Sequence, residues 1–171
     1  MHALMIGLRL IHILLGVFWA GTIFFFGLFL EPTVRAAGPD GAKVMLGLKQ
    51  RRYFDVMPVV ALLTILSGLW LYWRVSGGFN VMWVASRMGT SITTGAAAAI
   101  AAFVVGVFVL RRTVLQVFAL MPVAQQLPEG PQRAAAMEQI QRLRRRLTVS
   151  GRWVAALLAV AVGGMAVARY L

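Results

Sequence analysis

The chain has 171 residues, 60% of them hydrophobic and 13% charged, where an ordinary soluble domain carries about 25% charged residues; this excludes a soluble enzyme domain of any size and fits one membrane domain, because charge in a bilayer protein is confined to loops and helix ends. There is no cysteine, which excludes disulfides, thiolate metal sites and cysteine nucleophiles. The formal net charge of +12 gathers at the borders of apolar segments, with no basic–aromatic module beside it, so no nucleic-acid partner is expected.

The first apolar window covers residues 5–30, "MIGLRLIHILLGVFWAGTIFFFGLFL". A bilayer needs about 20 apolar residues per helix, and the hydrophobic part of a cleavable signal spans only about 7–15. A retained spanning helix is predicted, ending at Glu31-Pro32. Residues 31–55 form a connection with a breaker-rich turn, "EPTVRAAGPDG", followed by a short interfacial helix. The second span is 56–73. Residues 74–91 connect it to the third, and Trp70, Tyr72, Trp73 and Trp83 form an interfacial aromatic group. The third span, 92–110, ends sharply at Arg111-Arg112. Residues 111–148 form the longest connection. Within it "LPEGP" is a break and Pro131 suits the first position of a helix. Ala136, Ile140, Leu143 and Leu147 then recur at helical spacing. The fourth span is 149–168, short enough that Arg152 must snorkel toward the surface. Backbone amides in lipid require internal partners, so all spans are helices. The expected architecture is an all-α integral membrane four-helix bundle.

Twelve Lys and Arg residues lie in the connections 31–55 and 111–148, against four (Arg9, Arg74, Arg87 and Arg169) on the opposite side. The charge rule places the two basic connections in the cytoplasm and both termini outside, periplasmic in a bacterium, in the inner membrane. The basic helix at 132–147 reads either as a topological anchor or as a binder of anionic lipid headgroups.

Both histidines fall on the outer side. His2 is read as part of a disordered terminus. His12 lies within the first span, where ionisable residues are rare and mark function. Met165, near the outer end of the fourth span, reaches a similar depth. Imidazole and thioether together suit copper or haem iron, so His12 and Met165 are candidate metal ligands if the first and fourth helices adjoin. Gly16 would leave space beside the imidazole, and Gly163 and Gly164 would admit a helix or a flat macrocycle. Arg9, one turn before His12, is a candidate for neutralising a carboxylate such as a haem propionate, or else snorkels to headgroups. The bland alternative for His12 is a neutral side chain hydrogen-bonded to a neighbouring backbone or hydroxyl group. Asp55 reads as a helix N-cap paired with Arg51 and Arg52, and Thr93 and Thr94 as hydroxyls bonded back to their own helix. No Ser–His–Asp set, phosphate loop or paired carboxylates point to hydrolase or transferase chemistry.

The run "RLIHILLGVFWAGTIFFFGLFLEP", with His12, Trp19, Ala20, Gly21 and Pro32, resembles the first helix of the CopD-like and HemJ-like small membrane proteins. Ser67-Gly68 before an aromatic helix end, and the closing "MAVARYL", also look like members of that group. The resemblance implies copper handling in the first case and a haem-associated oxidation in the second, with His12 the residue carried over. Three readings stay open: a protein that binds copper or b-type haem near the outer face, a non-catalytic membrane subunit or scaffold that packs against partner helices or a second copy, and a HemJ-like oxidoreductase.

Overall fold

The computed structural model describes the backbone from His2 and the side chains from Ala3 to Leu171; the side chain of His2 lies outside the described residues. Six helices account for nearly all of it, with no strand among the described residues. Helix α1 runs over His2–Phe25, widens to a π-helix at Phe26–Leu30 and continues over Glu31–Ala36. Helix α2 covers Gly38–Gln50, α3 Tyr53–Val75 and α4 Val81–Ala85. Helix α5 spans Arg87–Val104, a π segment Val105–Arg111, and Arg112–Gln126. Helix α6 runs over Pro131–Val167 and closes in a 3-10 turn, Ala168–Tyr170. Four of these helices, α1, α3, α5 and α6, are long and apolar enough to cross a membrane. Their outward faces are apolar, with Leu14, Val17, Leu28 and Trp153 among the exposed large side chains. The chain is an all-α membrane protein.

The four long helices form two pairs. Helix α1 lies along α3, and α5 lies along α6; α5 also touches α3, and α1 touches α6. The shared core is small and built from every pair: Trp19 and Ala20 of α1, Met57, Val60 and Ala61 of α3, Ala102 of α5, and Val154 and Leu158 of α6. Lipid tails are as apolar as these side chains, so close packing and interhelical hydrogen bonds hold such a bundle together. Small residues supply the closeness. A methyl on Gly164 would lie 3.0 Å from the Ser91 carbonyl oxygen and 3.6 Å from Gly95 Cα, and one on Gly95 would lie 3.0 Å from the Ala161 carbonyl. At the same crossing the Ser91 hydroxyl donates to the Gly164 carbonyl at 2.8 Å.

Three helix ends depart from the sequence reading. Helix α1 does not stop at Glu31-Pro32. Proline removes one backbone donor and its ring crowds the preceding turn; here the preceding turn is already widened, the Glu31 amide reaching back five residues to the Phe26 carbonyl, and the helix runs on to Ala36. Nor does α5 stop at Arg111-Arg112. Arginine is a good helix former, so a pair of them changes the polarity of the surroundings without breaking the helix. The basic helix and the fourth span are one 37-residue helix, about 55 Å long at 1.5 Å per residue against a hydrocarbon core of about 30 Å. The expected long connection is therefore mostly helical hairpin. Arg112–Gln126 turns at 127–130 and packs back on the first half of α6, burying Val114, Ala124 and Ile140. Ile140 is the centre of the stripe expected from helical spacing, and Pro131 opens α6 as expected.

Candidate functional site around His12

His12 is half-buried in the seam between α1 and α3. Its Nδ1 lies 2.8 Å from the Thr64 carbonyl oxygen. A carbonyl oxygen only accepts, so Nδ1 is the donor in this bond, and Nε2 is the nitrogen that a neutral ring would offer to a ligand. The Thr64 carbonyl is accessible to it for a local reason. Ser67 and Gly68 sit three and four residues further along α3, and Gly68 has no side chain to cover that face. A methyl on Gly68 would fall 2.6 Å from His12 Cε1 and 3.0 Å from Nδ1, so the imidazole occupies the volume that any other residue would fill. The Ser67 hydroxyl donates to the Leu63 carbonyl at 2.7 Å and presents an oxygen 3.5 Å from Nδ1. The ring is thus held by a backbone acceptor, a hydroxyl and a glycine notch.

Nε2 makes no hydrogen bond among the described residues, and no fully buried side-chain nitrogen or oxygen among them lacks a partner. Nε2 is thus not fully enclosed within the bundle. Bonding of one ring nitrogen to a backbone carbonyl fixes tautomer and ring orientation and raises the basicity of the other, an arrangement common to ligating histidines.

Gly16 does not provide the space beside the ring; a methyl on it would lie 3.5 Å from the Thr64 methyl. Gly68 provides it instead. Met165 lies in the other seam, where its Cγ would meet a methyl on Gly95 at 3.3 Å. His12 thus faces α3 and Met165 faces α5. Gly164 is filled by α5, whereas Gly163 has nothing within 4 Å and lies on the outside. Arg9 is exposed and makes no ion pair among the described residues. No group of three His, Cys, Asp or Glu that could hold a metal ion occurs among the described residues.

The other polar expectations resolve locally. Thr93 and Thr94 donate back to Gly89 and Thr90 as expected, at 2.7 and 2.9 Å, and Thr93 also bonds the Tyr72 hydroxyl at 2.7 Å, tying α3 to α5. Tyr72 and Trp83 meet edge to face with centroids 5.6 Å apart, and the Arg74 guanidinium stacks near Trp70 and Trp73. Asp55 is not the N-cap of α3, which is Arg52, and its partner is Arg111 of α5 at 2.6 Å rather than Arg51 or Arg52. The reason lies in Pro58. Without an amide hydrogen it leaves the Phe54 carbonyl unpaired within α3, and Arg111 Nε donates to that oxygen at 3.1 Å. One arginine thereby satisfies both the freed carbonyl and the carboxylate.

The chain matches no family model, no curated protein and no solved structure.

Proposed function

We propose that this protein is an integral membrane protein that holds a b-type haem through His12, near the end of the bundle where both termini lie. The observation that carries the reading is the commitment of Nδ1 to Thr64, which leaves Nε2 oriented, without a protein partner among the described residues and not fully enclosed. Haem is favoured over copper by ligand count. One imidazole suffices for a haem iron, whereas Cu(I) calls for several soft ligands and Met165 faces the opposite seam. A bound haem would supply an iron centre for electron transfer or ligand binding. This chain's part is to fix the orientation of the imidazole with Nε2 turned away from Thr64 and, through exposed Arg9 one turn toward the terminus, offer a cation to a propionate. The charge asymmetry supports an orientation with the arginine-rich end in the cytoplasm and the termini outside.

A second reading rests on the same contact. His12 crosslinks α1 to α3 and fills the Gly68 notch, which a packing role alone explains. The protein is then a non-catalytic membrane subunit whose apolar outer faces meet partner helices or a second copy.

The experiment is an absorption spectrum and metal analysis of the detergent-purified chain, as isolated and after haem is supplied, beside His12→Ala. The haem reading expects a Soret band that the variant loses while keeping its helical circular dichroism. A colourless wild-type protein that takes up no haem overturns it and leaves the subunit reading, for which His12→Ala costs only stability, about 0.6 kcal/mol for an average interhelical hydrogen bond in a membrane plus the emptied notch.

A further inference from the structure

We infer that the arginine-rich end of α6 carries a seat for one anionic glycerophospholipid of the surrounding bilayer. Between the π segment of α5 and the middle of α6 lies an open groove of about 460 Å³, with Val105 and Val109 on one side and Arg142, Arg145, Arg146, Val149 and Trp153 on the other. The α6 residues stand at positions i, i+3, i+4, i+7 and i+11, one face of one helix. Along that face three guanidinium groups give way to valine and tryptophan, and Ser150, which also lines the groove, turns its hydroxyl back to the Arg146 carbonyl at 2.6 Å. A bilayer lipid has the same order from phosphate to acyl chain. The distance from Arg142 to Trp153 along the axis is about 16 Å, comparable with a headgroup, glycerol and upper chain. Trp153 is 63% exposed, and indoles favour the depth where headgroup gives way to hydrocarbon.

Of the three groove arginines only Arg142 has a carboxylate partner, Glu138. The five side-chain carboxylates of the protein are engaged by Arg35, Lys43, Arg111, Arg133 and Arg142. Arg144 turns to the other side of α6, toward Met121. Arg145 and Arg146 therefore line the groove with no carboxylate partner, and guanidinium groups suit a phosphate. The opposite wall is π-helical, a local geometry that occurs often at binding sites. The apolar lower half argues for a lipid rather than free phosphate, which would use the arginines alone.

The test is native mass spectrometry of the full chain in mild detergent with equal amounts of phosphatidylglycerol and phosphatidylcholine of matched chains. Wild type is expected to retain phosphatidylglycerol preferentially. Arg145→Gln with Arg146→Gln is expected to reduce that retention about tenfold or more, while Arg51→Gln with Arg52→Gln, which removes equal charge at the same end outside the groove, changes it less than about twofold. Trp153→Ala is expected to weaken retention, and inorganic phosphate not to displace the lipid. Absence of a preference, equal losses in the two arginine pairs, no effect of Trp153→Ala, or displacement by inorganic phosphate each overturns the inference. Should the Arg145/Arg146 variant fail to fold, the wild-type protein still decides. Brominated phosphatidylglycerol is expected to quench the Trp153 fluorescence, taken as the difference from Trp153→Phe, more than brominated phosphatidylcholine; equal quenching contradicts the seat.

Discussion

His12 and Gly68 form one unit. The imidazole rests where a side chain of residue 68 would be, so Gly68→Ala is expected to push the ring out of the seam and break its bond to Thr64. The consequence is a variant that keeps His12 yet behaves like His12→Ala, in its absorption if haem is bound and in its unfolding midpoint in either case. A Gly68→Ala protein with wild-type spectrum and stability would show that the notch does not position the ring. The adjacent glycines of α6 make a second residue-scale contrast. Gly164→Ala drives a methyl against the backbone of α5 and is expected to cost about 1–3 kcal/mol, as overpacking does. Gly163→Ala meets nothing and is expected to be neutral or stabilising by up to about 1 kcal/mol through helix propensity. Unfolding of the two variants in detergent tests this directly; similar effects from both would contradict the close crossing at Gly164.

At the scale of elements, prolines decide where helices meet. Pro58 frees the Phe54 carbonyl, and Arg111 crosses from α5 to take it while pairing Asp55. The ion pair is partly exposed, 36% and 59% for the two side chains, so its own worth is at most about 1 kcal/mol. An unpaired carbonyl beside the buried Phe54 costs about 1–3 kcal/mol. Arg111→Ala is thus destabilising mainly through the carbonyl. Pro58→Ala restores an amide within α3 that reaches the same oxygen, so Arg111→Ala should cost at least about 1 kcal/mol less in that background. A double-mutant cycle on unfolding free energies measures the coupling, and a value near zero would remove the proline from the explanation. Pro32 acts differently: the π turn before it absorbs the ring, and α1 continues.

For the whole molecule, the proposed orientation rests on the distribution of charge. Both paired-helix units carry their arginine-rich ends on the same side, where α5 and α6 extend past the apolar windows as a helical hairpin. The absence of cysteine makes a clean test available. Val81→Cys, at the exposed start of α4, should react with a membrane-impermeant maleimide added to intact spheroplasts. Gln132→Cys, at the start of α6, should react only after permeabilisation. The reverse pattern would invert the proposed topology.

Composition, four apolar windows and the uneven distribution of Lys and Arg were enough to determine an all-α membrane protein, because bilayer thickness and the cost of unpaired amides act on the chain locally, span by span. The stripe through Ile140 and the role of Pro131 were legible for the same reason: helical periodicity is local. His12 also stood out, as an ionisable residue within lipid must. Its seat did not. Thr64, Ser67 and Gly68 lie more than fifty residues away in the chain, and although Ser67-Gly68 entered the family resemblance, nothing in the sequence tied them to His12. Which helices pair was decided by tertiary packing, and with it the separation of His12 and Met165 into different seams, since similar depth in the membrane says nothing about direction around a helix axis. The continuation of helices past Pro32 and Arg112 was likewise seen only in the structure: a π turn accommodates the proline, and arginine, a good helix former, marks a change of surroundings rather than a helix end.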